Sequence, residues 1–369
     1  MMSHENPFVF GTPVQEAAFI DREAECSRLC AYLRNSQNVI IYSPRKFGKT
    51  SLVLKALSAL EGQVLPVFID CYAITSEKEL AASLSEKVLS YYPEHEILSA
   101  VKRLFGGISP KITIKSLPEV EIAVEWQGES DWKESLVLPQ KLAMDKGMPV
   151  ALVFDEFQEL ASFENLLKVL RSSFQHQPDV SFVFIGSRRH MMEWIFQAQE
   201  SPFYNFGAHI NLRTIPEEAF SAYIEKAFAE GGIRLEEGVT QEILSLTGCH
   251  PHYTQRLCFE LWYRGSLDGV VRPGEPATVL SEIMADLEDS YISIWEHLSS
   301  NQRRLLLAIV SGRSDLFSGD FVRDYDFRSP ASVQSALRKL LGREIVSREG
   351  ENYEVADVFL RSWLVSRFF

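Results

Sequence analysis

The run NVIIYSPRKFGKTSLVLKAL, residues 38–57, restricts the fold of this chain more than any other segment. An apolar strand, a short loop and an apolar helix follow one another, and the loop ends in Gly48-Lys49-Thr50. In such a unit the loop N–H groups and the N-terminus of the next helix face one point and can hold an anion. Gly48 permits backbone geometry that a Cβ hinders. The pattern G-x-x-x-x-G-K-[ST] would put Lys49 on the β- and γ-phosphates of a nucleotide and the Thr50 hydroxyl on Mg²⁺. It also asks for glycine at position 43, where this chain has Ser43. Pro44 pushes Ser43 into extended geometry, so serine can end the strand without glycine. Pro44 has no N–H to donate, so the cradle is expected from Lys46 through Thr50. Pro44, Arg45, Lys46, Phe47, Gly48, Lys49, Thr50 and Ser51 form the expected nucleotide-binding run.

A second segment, PVALVFDEFQEL (149–160), is an apolar strand ending in Asp155 and Glu156. A carboxylate in that place holds Mg²⁺ directly or through water. Such an acidic pair reads either as solvated turn residues after a strand or, beside the loop above, as a metal carboxylate followed by the candidate catalytic group, with Glu156 polarising the attacking water. A third strand end, FIGSRRHMM, brings Arg188 and Arg189 after Gly186-Ser187. A basic residue there can sense the terminal phosphate or can be a surface pair beside a helix start. In SLTGCHPHYTQRLCFELW (245–262) a Gly-x-x-Pro break separates two apolar helical runs. It reads either as the start of a lid helix over a bound base or as an ordinary turn between helices.

Between these segments strands and helices alternate, which predicts a parallel sheet with crossover helices. The strands NVIIY, QVLPVFIDC, MPVALVF, VSFVFIGS and AHINLRTI predict a five-stranded α/β core ending near residue 213. Residues 22–35 predict an amphipathic helix before the loop, and Ser76 with Glu79 predicts a capping box on the helix after the second strand. Period-two alternation over 109–126 predicts a β-hairpin insertion. Residues 216–297 read as all-helical, and the last stretch as three helices and a hairpin turning at Glu349-Gly350-Glu351-Asn352, a winged helix-turn-helix. The expected division is 1–215 for the core with its hairpin at about 107–127, 216–297 for a helical lid, and 298–369 for the winged helix.

At 46% hydrophobic and 24% charged residues, the composition is that of a globular protein with a sizeable core. A net charge of −13 excludes a general polyanion binder. The absence of a signal-peptide pattern or a long apolar run predicts a cytoplasmic protein without a membrane span. Five cysteines without C-x-x-C read as small thiols in a reducing compartment, and the histidines show no metal-ligand spacing.

Taken in order, FIDREAE, SPRKFGKTSL, VFDEFQEL, FIGSRRHMM, TGCHPHYTQRLCFELW and the terminal winged helix resemble the archaeal-type ATPases over nearly the whole chain. These belong to the STAND branch of P-loop NTPases and are related to AAA+ ATPases. The resemblance implies a P-loop NTPase core of the ASCE/AAA+ type, a helical lid and a winged helix, with ATP and Mg²⁺ as cofactors. It implies that Asp21 and Arg22 lie beside the nucleotide base and that Pro251 belongs to the lid. It also implies ATP over GTP, and a winged helix that packs back on the ATPase or binds partners. The chain departs from the family at Ser43, at Cys249 where a second glycine is frequent, and at Phe206 where some relatives carry arginine. That last departure leaves Arg188, Arg189 and Arg256 as candidates for an arginine finger.

The function expected is an ATPase with Lys49, Arg188 and Glu156 in catalytic roles and Thr50 and Asp155 on the metal, acting as a nucleotide-dependent switch on its lid and winged helix. The alternative is a DNA-binding regulator that holds ATP as a slowly exchanged ligand. Residues 299–369 carry 11 Lys and Arg against 9 Asp and Glu, so the acidic excess lies elsewhere. Arg328, Arg338, Lys339, Arg343 and Arg348 could meet phosphates, but Glu344, Glu349, Glu351 and Glu354 crowd the wing. The apolar end FLRSWLVSRFF suits docking on another domain, so a protein partner is favoured over DNA, with a nucleotide-dependent oligomer as a further expectation.

Overall fold

The computed structural model describes residues 5–13, 19–106, 110–115, 121–128, 131–163, 165–350 and 352–369. The chain divides into two units: one holds Arg22–Arg45 and Lys49–Leu212, the other Met1–Asp21, Lys46–Gly48 and Arg213–Phe369.

In the first unit, α1 (Glu23–Arg34) leads into β1 (Val39–Tyr42), α2 (Lys49–Ser58), β2 (Leu65–Asp70), α3 (Glu77–Leu89) and α4 (Glu94–Phe105). The hairpin β3 (Lys111–Lys115) and β4 (Glu121–Glu125) follows, then α5 (Leu138–Lys146), β5 (Val150–Asp155), α6 (Leu166–Phe174), β6 (Val180–Gly186), α7 (Arg189–Gln197) and β7 (Ala208–Asn211). The expected five-stranded parallel sheet is present in the order β2-β5-β6-β1-β7. Two strands, β5 and β6, separate into the space between β2 and β1, and β5 and β6 are buried almost throughout. Their near-continuous Val, Ile, Leu and Phe content is what a sheet covered on both faces requires.

Phenylalanines fix the end of β5. Phe154 stacks on Phe184 at 5.8 Å, and Phe157, just past the strand, lies 4.6 Å from Phe184 and 5.6 Å from Phe203. Burying each such ring contributes roughly 2–3 kcal/mol, enough to hold the turn after Asp155 in one place. The hairpin insertion is present, paired Ile112 with Val124 and Ile114 with Ile122, and its turn lies outside the described residues. Helix α4 has no counterpart in the sequence reading. The capping box at α3 is half formed: Ser76 accepts from the Glu79 N–H, but the Glu79 carboxylate accepts from both the N–H and the hydroxyl of Thr75 at 2.7 Å.

The second unit contains α8 (Glu217–Glu230), β8 (Arg234–Leu235), α9 (Val239–Thr247), α10 (Pro251–Asp268), β9 (Val270–Val271), α11 (Glu275–Asp286) and α12 (Glu288–Glu296). It continues with α13 (Ser300–Val310), α14 (Gly319–Asp324), α15 (Pro330–Gly342), β10 (Val346–Glu349), β11 (Asn352–Val355) and α16 (Val358–Phe368). The reading of 216–297 as all-helical is corrected by β8 and β9, a parallel pair of two residues each. Segments that short carry no periodicity for a sequence to display. The winged helix is present, with capping boxes at Ser299 and Ser329 and antiparallel wing strands; Glu351 of the expected turn lies outside the described residues. The apolar end forms a helix, α16, that the sequence reading left unassigned. Its Phe359 meets Tyr253 of α10 at 4.7 Å and its Trp363 meets Tyr291 of α12 at 5.9 Å. One hydrophobic core therefore runs from α8 to α16 without a break at the start of the winged helix.

Candidate functional site

The C-terminal ends of β1, β5 and β6 are neighbours in the sheet, so the segments leaving them carry their side chains to one edge of the first unit. After β1, Ser43 and Pro44 keep negative φ, as the serine–proline pairing requires, and the left-handed turns fall at Lys46 (φ 66°) and Gly48 (φ 84°). Nothing lies within 4 Å of where a Gly48 Cβ would stand, so glycine is needed there for backbone angle and not for space. Lys49 opens α2, is only 7% exposed, and donates its Nζ to the carbonyl oxygens of Ser43 (2.8 Å) and Pro44 (2.9 Å). The loop's own carbonyls thus hold the ammonium at the mouth of the helix N-terminus. Arg45 is exposed and Ser51 buried.

The Thr50 hydroxyl donates to Asp155 Oδ2 at 2.9 Å, across 105 residues of sequence. The other oxygen, Asp155 Oδ1, accepts the Glu156 N–H at 3.0 Å. Burial pushes the Asp155 carboxyl up from its ordinary value; the Thr50 hydrogen bond opposes this, while the charge of Glu156 adds to it. These are hard oxygen donors, a hydroxyl and an oriented carboxylate, and they suit Mg²⁺, which takes one or two protein oxygens and completes its shell with water and phosphate.

Glu156 adopts a left-handed backbone, φ 51° and ψ 43°, which is uncommon for a non-glycine residue. It turns the side chain toward the end of β6. There Glu156 Oε2 accepts the Ser187 hydroxyl at 2.9 Å, the Ser187 N–H at 3.3 Å and the Gln158 amide Nε2 at 2.5 Å. Arg188 pairs with Glu159 Oε1 at 3.4 Å, and Gln158 Nε2 lies 3.5 Å from the same oxygen. Arg189 turns away to Glu193 at 2.8 Å. Ser187 and Gln158 were not among the expected site residues. Both stand in the motifs that the sequence displays, but only the left-handed turn at Glu156 brings them onto its carboxylate.

Within the second unit, the loop residues Lys46–Gly48 meet the start of α10. Phe47 packs edge-on to His250 at 4.5 Å, and Lys46 Nζ lies 5.0 Å from the centre of the Tyr253 ring. The Gly-x-x-Pro break ends α9 at Gly248, turns through Cys249 at φ 54°, and starts α10 with Pro251 in its first turn. Cys249 thus occupies backbone that glycine adopts freely, which is why glycine is at home at this place. Burial, with the nearby His252 and Lys46, lowers His250 to about 3, and burial with Lys46 and Arg256 lowers His252 to about 3. Arg256 lies over the Phe10 and Phe359 rings. Asp21 and Arg22 both have positive φ, and Arg22 is buried and paired with Glu25 at 3.2 Å.

A family model described as an ATPase domain predominantly from Archaea matches residues 19–257, and one described as a probable winged helix domain matches residues 289–366. No curated protein sequence matches the chain. Among solved structures, the Walker-type ATPase PABY2304 of Pyrococcus abyssi is similar, with a TM-score of 0.66 and 18% identity over 94% of this chain and 96% of that one. The Aeropyrum pernix ORC2 protein in its ADPNP–ADP complexes has a TM-score of 0.58 and 13% identity over 99% of both chains. The Aeropyrum pernix ORC1 protein in complex with DNA has a TM-score of 0.52 and 16% identity over 97% of this chain and 94% of that one. At these identities the likeness is one of fold. No helix among the described residues is long and apolar enough to cross a membrane.

Proposed function

The chain belongs to the archaeal-type family of AAA+-like ATPase domains, and from that premise we propose that it binds ATP with Mg²⁺ and hydrolyses it slowly to switch its helical region and winged helix. The observation that carries this reading is the Thr50–Asp155 hydrogen bond, which joins the phosphate loop to the acidic strand end beside Glu156. In this reading Lys49 leaves the Ser43 and Pro44 carbonyls for the β- and γ-phosphate oxygens. Thr50 Oγ1 and Asp155 hold Mg²⁺, which supplies positive charge to the phosphate oxygens when bound. Glu156 accepts a hydrogen bond from the attacking water and orients it, with the Ser187 hydroxyl at the same place. Arg188, tethered to Glu159, is the candidate cation for the terminal phosphate.

The loop run from Pro44 to Ser51, with Asp21, Arg22 and Pro251, is the proposed nucleotide-binding set. The start of α10 is proposed to report the state of the loop, because Lys46 and Phe47 touch Tyr253 and His250 there. The shared core supports a helical region and winged helix that respond as one body. A protein partner remains the favoured reading for the winged helix because its wing is acidic in sequence; the apolar end no longer argues for it, since α16 packs on α10 and α12 of the same chain. The second reading, a DNA-binding regulator that exchanges ATP slowly, draws on the exposed Arg338 and Lys339 of α15 and on the DNA complex of the similar ORC1 protein.

Glu156→Gln separates the two. Retained ATP affinity with turnover reduced about 10²- to 10⁴-fold, measured by phosphate release and calorimetry, is the expected result. Negligible wild-type turnover together with salt-dependent DNA binding that survives the substitution would leave the regulator as the better account.

A further inference from the structure

Gln158 has a place in the site that the assigned roles do not use. Its side chain is 0% exposed, and its amide nitrogen has two hydrogens to give. One direction leads to Glu156 Oε2 at 2.5 Å and the other to Glu159 Oε1 at 3.5 Å. Two carboxylates that would repel each other are thereby bridged by a neutral donor. The amide lies close over Gly186: a Cβ on that glycine would stand 2.6 Å from Gln158 Oε1 and 2.3 Å from Met192 Sδ, so only glycine leaves room for it. Meanwhile Gln158 Oε1 is buried and has no hydrogen-bond partner among the described residues. An unpaired buried carbonyl is unfavourable for the fold, so folding alone gives no reason for an amide at this position.

We infer that Gln158 is a positioning residue for Glu156: it pins one carboxylate oxygen, and so aims the other at the attacking water. This rests on the reading of Glu156 as the group that orients that water. Three donors, from Gln158 and Ser187, converge on Oε2, and an oxygen accepting three hydrogen bonds has no lone pair left for a substrate. None of them reaches Oε1. The Ser187 hydroxyl is a rotor, whereas a flip of the Gln158 amide would turn its carbonyl onto the carboxylate, so the amide has one orientation in which it donates. Gln158 therefore keeps the carboxylate in register, with Ser187 donating beside it.

The test replaces Gln158 by methionine, of similar length and without a donor, in the full chain. Turnover number, KM, affinity for a fluorescent ATP analogue and Tm are measured on each variant. The inference expects Gln158→Met to lower kcat about 10- to 100-fold, the size of a misplaced catalytic group. It expects nucleotide affinity within about 2-fold of wild type, and a Tm equal or higher because the unpaired carbonyl is gone. In a Glu156→Gln background the same change should cost no further turnover, since its effect passes through the carboxylate. Gln158→Leu repeats the comparison with a branched chain. Wild-type kcat in Gln158→Met, or a parallel loss of affinity and Tm in both variants, overturns the inference while leaving the ATPase reading intact. A wild-type chain that binds ATP without turning it over overturns both.

Discussion

At the ends of β5 and β6, one oxygen of Glu156 collects three donors from two different segments. In the second unit Asp357 Oδ1 collects two, both from its own helix, the N–H groups of Phe359 and Leu360 at 2.9 Å. The first arrangement joins segments that are distant in sequence and holds a carboxylate poised in an uncommon backbone. The second closes a helix terminus and then gives way to aromatic packing, with the Tyr253 and Tyr291 phenols pushed up by burial and by the Asp357 charge. One region gathers donors from separate segments onto a single carboxylate, the other spends its polar groups on its own joints. Long-range polar contacts onto one carboxylate mark the first unit, and a continuous apolar core marks the second.

The comparison breaks most visibly at Phe359. Its ring is fully buried, so Phe359→Ala should cost about 3–5 kcal/mol. Calorimetry should show the whole second unit melting earlier in one step; a separate early transition for the winged helix alone would show that the shared core is not a cooperative one. Next in size is Lys49→Ala, expected to weaken ATP about 100-fold, near 3 kcal/mol, and to abolish the rise in Tm that ATP gives the wild type. Unchanged ATP affinity in that variant would remove the phosphate site from the loop.

A smaller effect comes from His250. Its folded value of about 3 lies below the ordinary value of 6.5, so the unfolded chain takes up the proton first as pH falls. Stability is whole above about pH 6.5 and is lost from there down toward pH 3. Between pH 7 and 5.5 this amounts to about 1 kcal/mol, and His250→Gln should remove that share from the pH dependence of Tm. Equal slopes in the two proteins would contradict the buried neutral imidazole. The smallest effect is Ser329→Ala, which removes the cap of α15 and should cost about 1 kcal/mol in thermal unfolding without altering turnover.

Much of the first unit can be read from the chain because buried parallel strands are long apolar runs and each site segment begins where one of them stops. The places of Lys49, Thr50, Asp155 and Glu156 at strand ends are visible in this way. That Gln158 and Ser187 meet the Glu156 carboxylate is not, because the contact depends on the φ of Glu156 and on which strands lie side by side. Helix α4 and the two-residue ladder of β8 and β9 escape for opposite reasons. The helix sits between two stronger signals, and the ladder is too short to have a period. The apolar end was legible as a packing surface, but what it packs against, α10 and α12, is set by tertiary structure alone.

The aromatic joint between Tyr253 and Phe359 has a consequence for the inheritance of this chain. Two family descriptions, one ending at residue 257 and one beginning at 289, meet across it, yet each side supplies half of a single packing contact. An exchange of the C-terminal piece for another winged helix would leave the first turns of α10 facing a ring of the wrong size or no ring at all. A chimera joined between the two sides is therefore expected to keep the stability of this core only where the incoming helix brings a matching aromatic face.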